Sequence, residues 1–412
     1  VPFFDESEFK RASSVPRCNV CGVYRGCRTP KMPVTGEGKR KVLIVAEAPG
    51  KEEDKRGTQL IGESGQLLRE VLREIDVDLD RDCWKTNSVV CWPGEGNPKP
   101  TKKRILQCRP NLLKTIKELQ PRCVILLGGT AVSSLIGYLW KEDPGKVSLW
   151  AGHTIPDREF NSWVCPTFHP AYLLRSGGDQ ALRLWFKRHL EVAFRQKGRP
   201  WEVVPDYRKQ VRIEYDPRGA AALLESFPDN PDDPIAFDYE TTMLKPDSSE
   251  AKIVSCAVAW WASNDEDVRA VSFLWRGEAV FLWRGEAVEA MGELLRSDVP
   301  KIAANLKFEE RWTRKEFGHG VNNWAWDTMQ AAHVLDNRPG ITGLKFQAYV
   351  NFGQPVYDVK TAPYFKSESN KPNRIYEIDP KELLLYGGLD ALLEFKLAKV
   401  QMRKLGMERN TL

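Results

Sequence analysis

Apolar residues in the first half of the chain gather into short unbroken runs, and between these runs they recur at helical spacing. "KVLIVAEAPG" (residues 41–50) reads as a continuous apolar strand ending in a Pro-Gly turn, and "SGQLLREVLREI" (64–75) follows with apolar positions at helical period. "CWKTNSVVC" (83–91) and "RCVILLGGTAV" (122–132) predict two further buried strands, the second opening into a helix through Gly128 and Gly129. "ALRLWFKRHLEVAFRQ" (181–196) predicts a basic amphipathic helix. Alternation of this kind implies a parallel sheet with helices on both faces, a three-layer α/β/α arrangement.

Between about residues 197 and 234 the pattern lapses into "KGRPWEVVPDYRKQ" and "FPDNPDDP", and a second strand-rich unit opens at "PIAFDYETT". We therefore expect two domains, 1–200 and 201–412. "KIVSCAVAWW" (252–261) predicts another strand. Helical patterns follow in "EAMGELLRS", "WDTMQAAHVLD" and "DPKELLLYGGLDALLEFKLAKVQMRKL", so the second half is again α/β. Within it, FLWRGEAV occupies 273–280 and repeats letter for letter at 281–288. Eight residues are too few for a solenoid unit, and the repeat reads as a local duplication lengthening a strand-to-helix connection.

A length of 412 residues suits two cores better than one. The balance of 42% hydrophobic and 28% charged residues is that of a globular protein, and no apolar run is long enough for a membrane span. No basic start followed by an apolar stretch marks a secretory leader. Together with nine cysteines, an odd number, this favours a reducing cytoplasm over a disulfide framework. Charge separates the halves. Residues 1–200 carry 34 basic and 23 acidic side chains, and the remainder 27 and 33. The basic half suits a polyanion such as DNA, and the acidic half has carboxylates to spare for metal ions.

Two groups of residues carry candidate chemistry. Cys18 and Cys21 form a C-x-x-C pair, and with Cys91 and Cys108 they could surround one centre, zinc or iron–sulfur. The residue types do not separate these two. Asp238 and Glu240 lie two apart on a predicted strand and so share one face. Paired carboxylates there need a cation, and Mg2+ or Mn2+ suits oxygen ligands. Glu309, Asp327 and Asp390 add acidic groups further on, and Tyr386 precedes Asp390 by four residues, on the same helix face.

The ordered motifs "EAPGKEED", "TNSVVCWPGEGNPKPT", "CRPNL", "LLGGTAV" and "FHPAYLLR" resemble a family 4 uracil-DNA glycosylase over roughly residues 15–197. The resemblance implies a structural 4Fe–4S cluster on Cys18, Cys21, Cys91 and Cys108. Cys27 lies close enough to be mistaken for a ligand, and Cys83, Cys123, Cys165 and Cys256 are expected to be packed core thiols. It further implies that Glu47 helps place the attacking water, that Asn87 reads the uracil edge and that His169 donates to a uracil oxygen. Pro49 and Gly50 would approach the DNA, and Leu173 or Leu174 would wedge into the gap left by the flipped base. Leu60 stands where the family has a stacking Phe, and a base–aromatic stack contributes about 1–3 kcal/mol. Excision is nevertheless expected to persist, because Asn87 and His169 remain. The alternative is a non-excising module that binds uracil or DNA.

In the second half, D-x-E, "NLKFE" and Y-x-x-x-D resemble the 3′–5′ exonuclease domain of family A DNA polymerases over about residues 232–405. That implies a ribonuclease H-like mixed sheet and two Mg2+ or Mn2+ ions. Asp238 would bridge both ions, Glu240 and Asp390 would complete the first, and Glu309 would serve the second. Tyr386 would orient the attacking water, and Asn305 and Lys307 would support the backbone. Glu309 replaces the usual aspartate, and its extra methylene extends reach by about 1.3–1.5 Å. Activity is expected to be reduced or retained. Glu310, its neighbour, is the weaker candidate. The joint expectation is a bifunctional, phage-type DNA repair or replication enzyme. It would act as a monomer on uracil-containing DNA and on 3′ ends, with RNA as another possible exonuclease substrate. It would work in the cytoplasm, that of the bacterial host if phage-encoded, beside a separate DNA polymerase.

Overall fold

A computed structural model describes residues 15–227, 233–262, 267–275, 285–367 and 371–407. The chain divides into two compact units. One runs to Val204 and takes in Tyr349–Val356, and the other holds Pro205–Ala348 and the chain from Tyr357 onward.

The first unit is built on a five-stranded sheet of order β2-β1-β3-β5-β4. Its strands are β1 Val42–Ala46, β2 Cys83–Asn87, β3 Cys123–Leu127, β4 Ile155–Asp157 and β5 Ser162–Thr167. All neighbours are parallel except β4, which runs antiparallel to β5. The central strands β1 and β3 are buried at every position, as their unbroken apolar runs require. Helices Glu63–Arg73, Lys102–Leu119, Gly128–Leu139 and Gln180–Arg195 supply the covering layers. The last of these buries Phe186, Leu190 and Ala193 and exposes Leu184 and Trp185.

Two details depart from the hydrophobic pattern. The run 83–91 is strand only as far as Asn87. The Ser88 and Val89 amides still bond to the carbonyls of Ala46 and Glu47, but the Val90 amide turns to the sulfur of Cys108. The apolar tail of the run thus leaves the sheet for the cysteine cluster. Strands β4 and β5 are not announced by the pattern, since β4 has only three residues and β5 carries Pro166.

The second unit has a six-stranded mixed sheet of order β11-β10-β7-β8-β9-β6. Its strands are β6 Val211–Glu214, β7 Ile235–Thr241, β8 Ile253–Trp261, β9 Val268–Leu274, β10 Lys301–Ala303 and β11 Trp324–Asp327. β7, β8 and β9 form an antiparallel meander, and β6, β10 and β11 join in parallel to their neighbours. Helix Pro380–Lys404 packs across this sheet. Of its two interior glycines, unfavourable in isolation, Gly388 permits that approach. A Cβ on Gly388 would sit 2.3 Å from Val211 Cγ1.

The predicted helix at "WDTMQAAHVLD" begins later than its apolar spacing suggests, at Thr328. Trp326 and Asp327 end β11, and Asp327 caps the helix. In the duplicated octapeptide, Phe273 and Leu274 end β9 and Glu286 opens helix Glu286–Arg296. Residues 276–284 of it lie outside the described residues. Among the described residues, no helix is long and apolar enough to cross a membrane.

Candidate functional site

In the first unit, the candidate groups collect at the carboxyl ends of the parallel strands β2, β1 and β5, with β3 between the last two, where open α/β sheets form binding crevices. Glu47 follows β1, Asn87 ends β2, and His169 lies just beyond β5. Asn87 pairs in register with Ala46 and is 1% exposed, and its Nδ2 has no hydrogen-bond partner. An amide donor buried without a partner is costly unless a ligand meets it.

His169 caps helix Pro170–Arg175, and its Nδ1 accepts the Ala171 amide at 3.1 Å. That bond puts the proton of the neutral ring on Nε2. Burial lowers the His169 pKa, with Glu47 pulling the other way. Gly128, at φ +85°, makes room for this residue, since a Cβ there would stand 2.9 Å from His169 Cβ. Glu47 is held by Thr130 Oγ1, which donates to Oε2 at 2.6 Å.

The remaining candidates are less alike in placement. Gly50 is half-buried and its amide donates to Glu53 Oε2 at 2.8 Å, while Pro49 is buried. Leu60 packs at 4% exposure into the core beside Val42, Ile44 and Leu68. Leu173 belongs to the same core, whereas Leu174 is 44% exposed.

Cys18 and Cys21 on a short helical turn, Cys91 in the loop after β2, and Cys108 on helix Lys102–Leu119 line one pocket with Tyr24, Val89 and Val90. Nitrogen donors already point at two of the sulfurs. The Lys31 amide reaches Cys91 at 3.3 Å, and the Val90 amide and Asn111 Nδ2 each reach Cys108 at 3.4 Å. Burial pushes the Cys108 thiol up to about 11 and raises that of Cys91, where the Cys18 and Cys21 sulfurs add to the effect. Cys27 does not line this pocket but lies beside Cys91; its sulfur donates to the carbonyls of Val23 and Trp92 at 3.4 and 3.5 Å, and burial and Cys91 push its thiol up to about 11. Cys83, Cys123, Cys165 and Cys256 are buried.

In the second unit, carboxylate oxygens of Asp238, Glu240 and Asp390 all lie within 4.8 Å of one another. β7 supplies the first two on one face, and helix Pro380–Lys404 brings the third. Burial and repulsion from Asp390 raise the Asp238 pKa to about 7, and Glu240 and Asp390 are raised as well, burial being the largest cause. Three carboxyls that resist ionising together suit a cation. Lys345 partly fills that role by drawing all three down.

Glu309, on helix Lys307–Phe317, is 2% exposed with Oε2 unpartnered, and after burial the strongest influence on it is Asp238. Glu310 instead accepts from Arg314, Val321 and Trp324. Asp327 is taken up by four backbone amides, those of Asn305, Leu306, Met329 and Gln330, so it acts as a cap and lies outside the trio. Asn305 sits at φ +65° in the turn this cap holds.

Three groups at this site escape the motif reading. Lys345 Nζ donates to Tyr386 Oη at 2.9 Å, and Tyr357 Oη donates to Asp390 Oδ1. Glu394, 2% exposed, senses Asp238, Glu309 and Asp390. Glu394 was readable, because Tyr386, Asp390 and Glu394 recur every four residues along one helix face. Lys345 and Tyr357 come from a segment with no local signal.

Comparison with known proteins matches the two units separately. Residues 33–194 fit the uracil DNA glycosylase superfamily model, and residues 211–405 fit a 3′-5′ exonuclease model. A type-4 uracil-DNA glycosylase of Thermotoga maritima is 34% identical over 171 residues, covering 41% of this chain and 84% of that protein. One from Pyrobaculum aerophilum is 34% identical over 182 residues, covering 44% and 89%. A DNA polymerase of Bacillus phage SP01 is 25% identical over 351 residues, covering 74% of this chain and 34% of the polymerase. The chain therefore belongs, through its first unit, to the type-4 uracil-DNA glycosylases, and it carries a 3′-5′ exonuclease domain as its second.

Proposed function

We propose that this chain excises uracil from DNA with its first unit and degrades DNA from 3′ ends with its second. The observation that carries the glycosylase half is the buried, unpartnered Asn87 amide at the same sheet edge as Glu47 and His169. A flipped uracil entering that edge would offer its carbonyl to Asn87 Nδ2. His169 Nε2–H would donate to the oxygen on which negative charge grows as the C1′–N1 bond breaks. Glu47, fixed by Thr130, would orient the water whose oxygen joins C1′ and would offset the positive sugar. Of the two leucines, exposure favours Leu174 as the wedge.

The four cysteines suit a 4Fe–4S cluster. A single zinc at about 2.3 Å needs sulfurs about 3.8 Å apart. Among the described residues, only the carboxylate trio gathers three or more candidate ligand atoms within 4.8 Å, so the thiols are spread more widely than one zinc requires. Amide donors to sulfur also favour the thiolate form that a cluster binds. Its part would be structural, tying Cys18 and Cys21 to the strand-end loop and helix that border the uracil edge.

For the exonuclease half, the carrying observation is the carboxylate trio, joined by Glu309. Two divalent cations held there would supply an activated water and charge stabilisation for the leaving 3′ oxygen. Tyr386, buttressed by Lys345, would orient that water. The same reading makes DNA the partner of both units. It places the chain as a monomer in a cytoplasm, that of the bacterial host if a phage encodes it, beside a separate DNA polymerase.

The test is incubation of the full chain with a 5′-labelled single strand holding one uracil, in EDTA and in Mg2+. We expect an alkali-labile break at uracil in EDTA, and a ladder shortening from the 3′ end only with Mg2+. No break in EDTA removes the glycosylase half, and trimming in EDTA removes the metal-dependent nuclease half.

A further inference from the structure

Helix Gln180–Arg195 turns more than charge to solvent. Phe186, Leu190 and Ala193 give it a buried face, yet Leu184 and Trp185 stand 67% and 53% exposed. Among the described residues no other tryptophan is exposed to this degree. Packing does not account for it, since a ring left in water contributes little of the burial energy that an aromatic can supply. Arg188, one turn on, lies over the same ring, its guanidinium carbon 5.6 Å from the centroid.

An aromatic row ties this ring to the uracil edge. Between ring centres, Trp185 lies 6.2 Å from His189, His189 5.8 Å from Phe168, and Phe168 5.8 Å from Tyr172. Phe168 immediately precedes His169, and Tyr172 sits on the short helix that His169 caps. Thr167 Oγ1 fixes His189 Nδ1 within the row at 3.0 Å. The row is half-buried in the middle and open at both ends, for Tyr172 is 49% exposed. Two cations flank it. Arg175 and Arg188 are exposed, and among the described residues neither forms an ion pair, whereas Arg183 and Lys187 are tied to Glu74. Arg175 is near enough to His169 to help lower its pKa.

We propose that the exposed rings of Trp185 and Tyr172 form a stacking platform for unpaired bases beside the uracil, with Arg188 and Arg175 holding the phosphates of that single strand. The inference rests on the uracil-excision reading and gives its substrate a form. Every base offers a flat face, so such a platform tolerates any sequence, while flanking cations track the backbone. Bases in a duplex are stacked on one another and present only their edges in the grooves, so the platform discriminates by strandedness. The unpaired arginines, the basic surplus of residues 1–200 and the unbroken row to His169 favour a polyanion here over a protein face.

The test is single-turnover excision by the full chain in EDTA, on one uracil-containing sequence offered as a single strand and as a duplex. Trp185→Ala is expected to raise the half-saturating chain concentration on the single strand about tenfold, the scale of one base–aromatic stack, with the maximal rate unchanged. On the duplex the same variant should change it by less than about twofold, because paired bases do not reach the ring. Trp185→Phe should recover most of the loss. Arg188→Gln should flatten the slope of log affinity against log salt on the single strand by about 0.7, the share of one phosphate. Should Trp185→Ala not fold, that slope decides in its place. Ultraviolet crosslinking of strands bearing one iodouracil beside the uracil should give an adduct on Trp185 or Tyr172, a readout that needs no excision. A folded Trp185→Ala with wild-type concentration dependence on the single strand, or with an equal loss on the duplex, would overturn the proposal and leave excision standing. Loss of self-association on sedimentation in that unaffected variant would assign the patch to a second copy instead. A wild-type chain that does not excise would remove the glycosylase reading. Adducts at Trp185 or Tyr172 would then keep the strand site, and adducts confined to other residues would overturn it.

Discussion

Lys345 and Tyr386 are joined by a 2.9 Å hydrogen bond from the ammonium to the phenol oxygen, with the ammonium 4.8 Å from the centre of the same ring. Burial pulls the Lys345 pKa down, but Asp390, Asp358 and Glu240 outweigh it and hold the group above its ordinary value. Lysine therefore serves two purposes, fixing the phenol and standing as a resident cation beside carboxyls that repel one another.

Replacing this lysine should separate those purposes. Lys345→Met is expected to destabilise the metal-free chain at pH 8 by about 1–3 kcal/mol, less than the loss of a fully buried partner. Mg2+ should restore more stability to the variant than it adds to the wild type. Thermal melting in EDTA and in Mg2+ measures both effects.

The pH dependence of stability follows from the direction of the carboxyl shifts. Asp238 rises from 3.8 to about 7, and Glu240, Glu309, Asp390 and Glu394 rise too. Groups with raised folded-state pKa values contribute stability that is present below their unfolded values and lost as pH climbs through the folded ones. In EDTA, the melting temperature of the exonuclease unit should therefore fall between pH 5 and pH 8. Saturating Mg2+ should abolish or reverse that slope, because the ions favour the ionised forms. Melting curves across this range are the check.

Iron content should distinguish Cys91 from Cys27. Cys91→Ser is expected to lose the visible absorbance and most of about four iron atoms per chain. Cys27→Ser should keep them, since its sulfur lies outside the pocket and bonds to backbone carbonyls. Iron and sulfide assays on the purified chains report the difference.

At the uracil edge, Asn87→Ala and His169→Ala should each lower kcat/KM for excision by about 10²–10³-fold, the usual effect of losing one donor aimed at developing charge. The lowered His169 pKa means that the ring is neutral above pH 7. Excision should accordingly show no histidine limb between pH 7 and pH 8.5 in a single-turnover assay.

Much of this arrangement is legible in the chain itself, for identifiable reasons. Unbroken apolar runs mark β1 and β3 because both faces are covered, and D-x-E on β7 shows two carboxylates sharing one face. The helix from Pro380 carries its acidic stripe at a spacing that also reveals Glu394. What stays hidden depends on contacts distant in sequence. Asp327 looks like a ligand until four amides from two segments claim it. Leu173 and Leu174 are equivalent on paper, and only packing buries one and exposes the other. Lys345 and Tyr357 reach the carboxylates across 45 and 33 residues of chain, counted to Asp390, with no periodic signal to flag them.

The central claim is that two independent chemistries share one chain, and separated variants test it most directly. Wild type, His169→Ala and Asp238→Ala are compared on the same 5′-labelled uracil strand in Mg2+. His169→Ala is expected to trim 3′ ends at the wild-type rate with breakage at uracil cut by about 10²–10³-fold, while Asp238→Ala should break at uracil at the wild-type rate and not trim. Loss of both activities in either folded variant, or persistence of both at the wild-type rate, would contradict the claim.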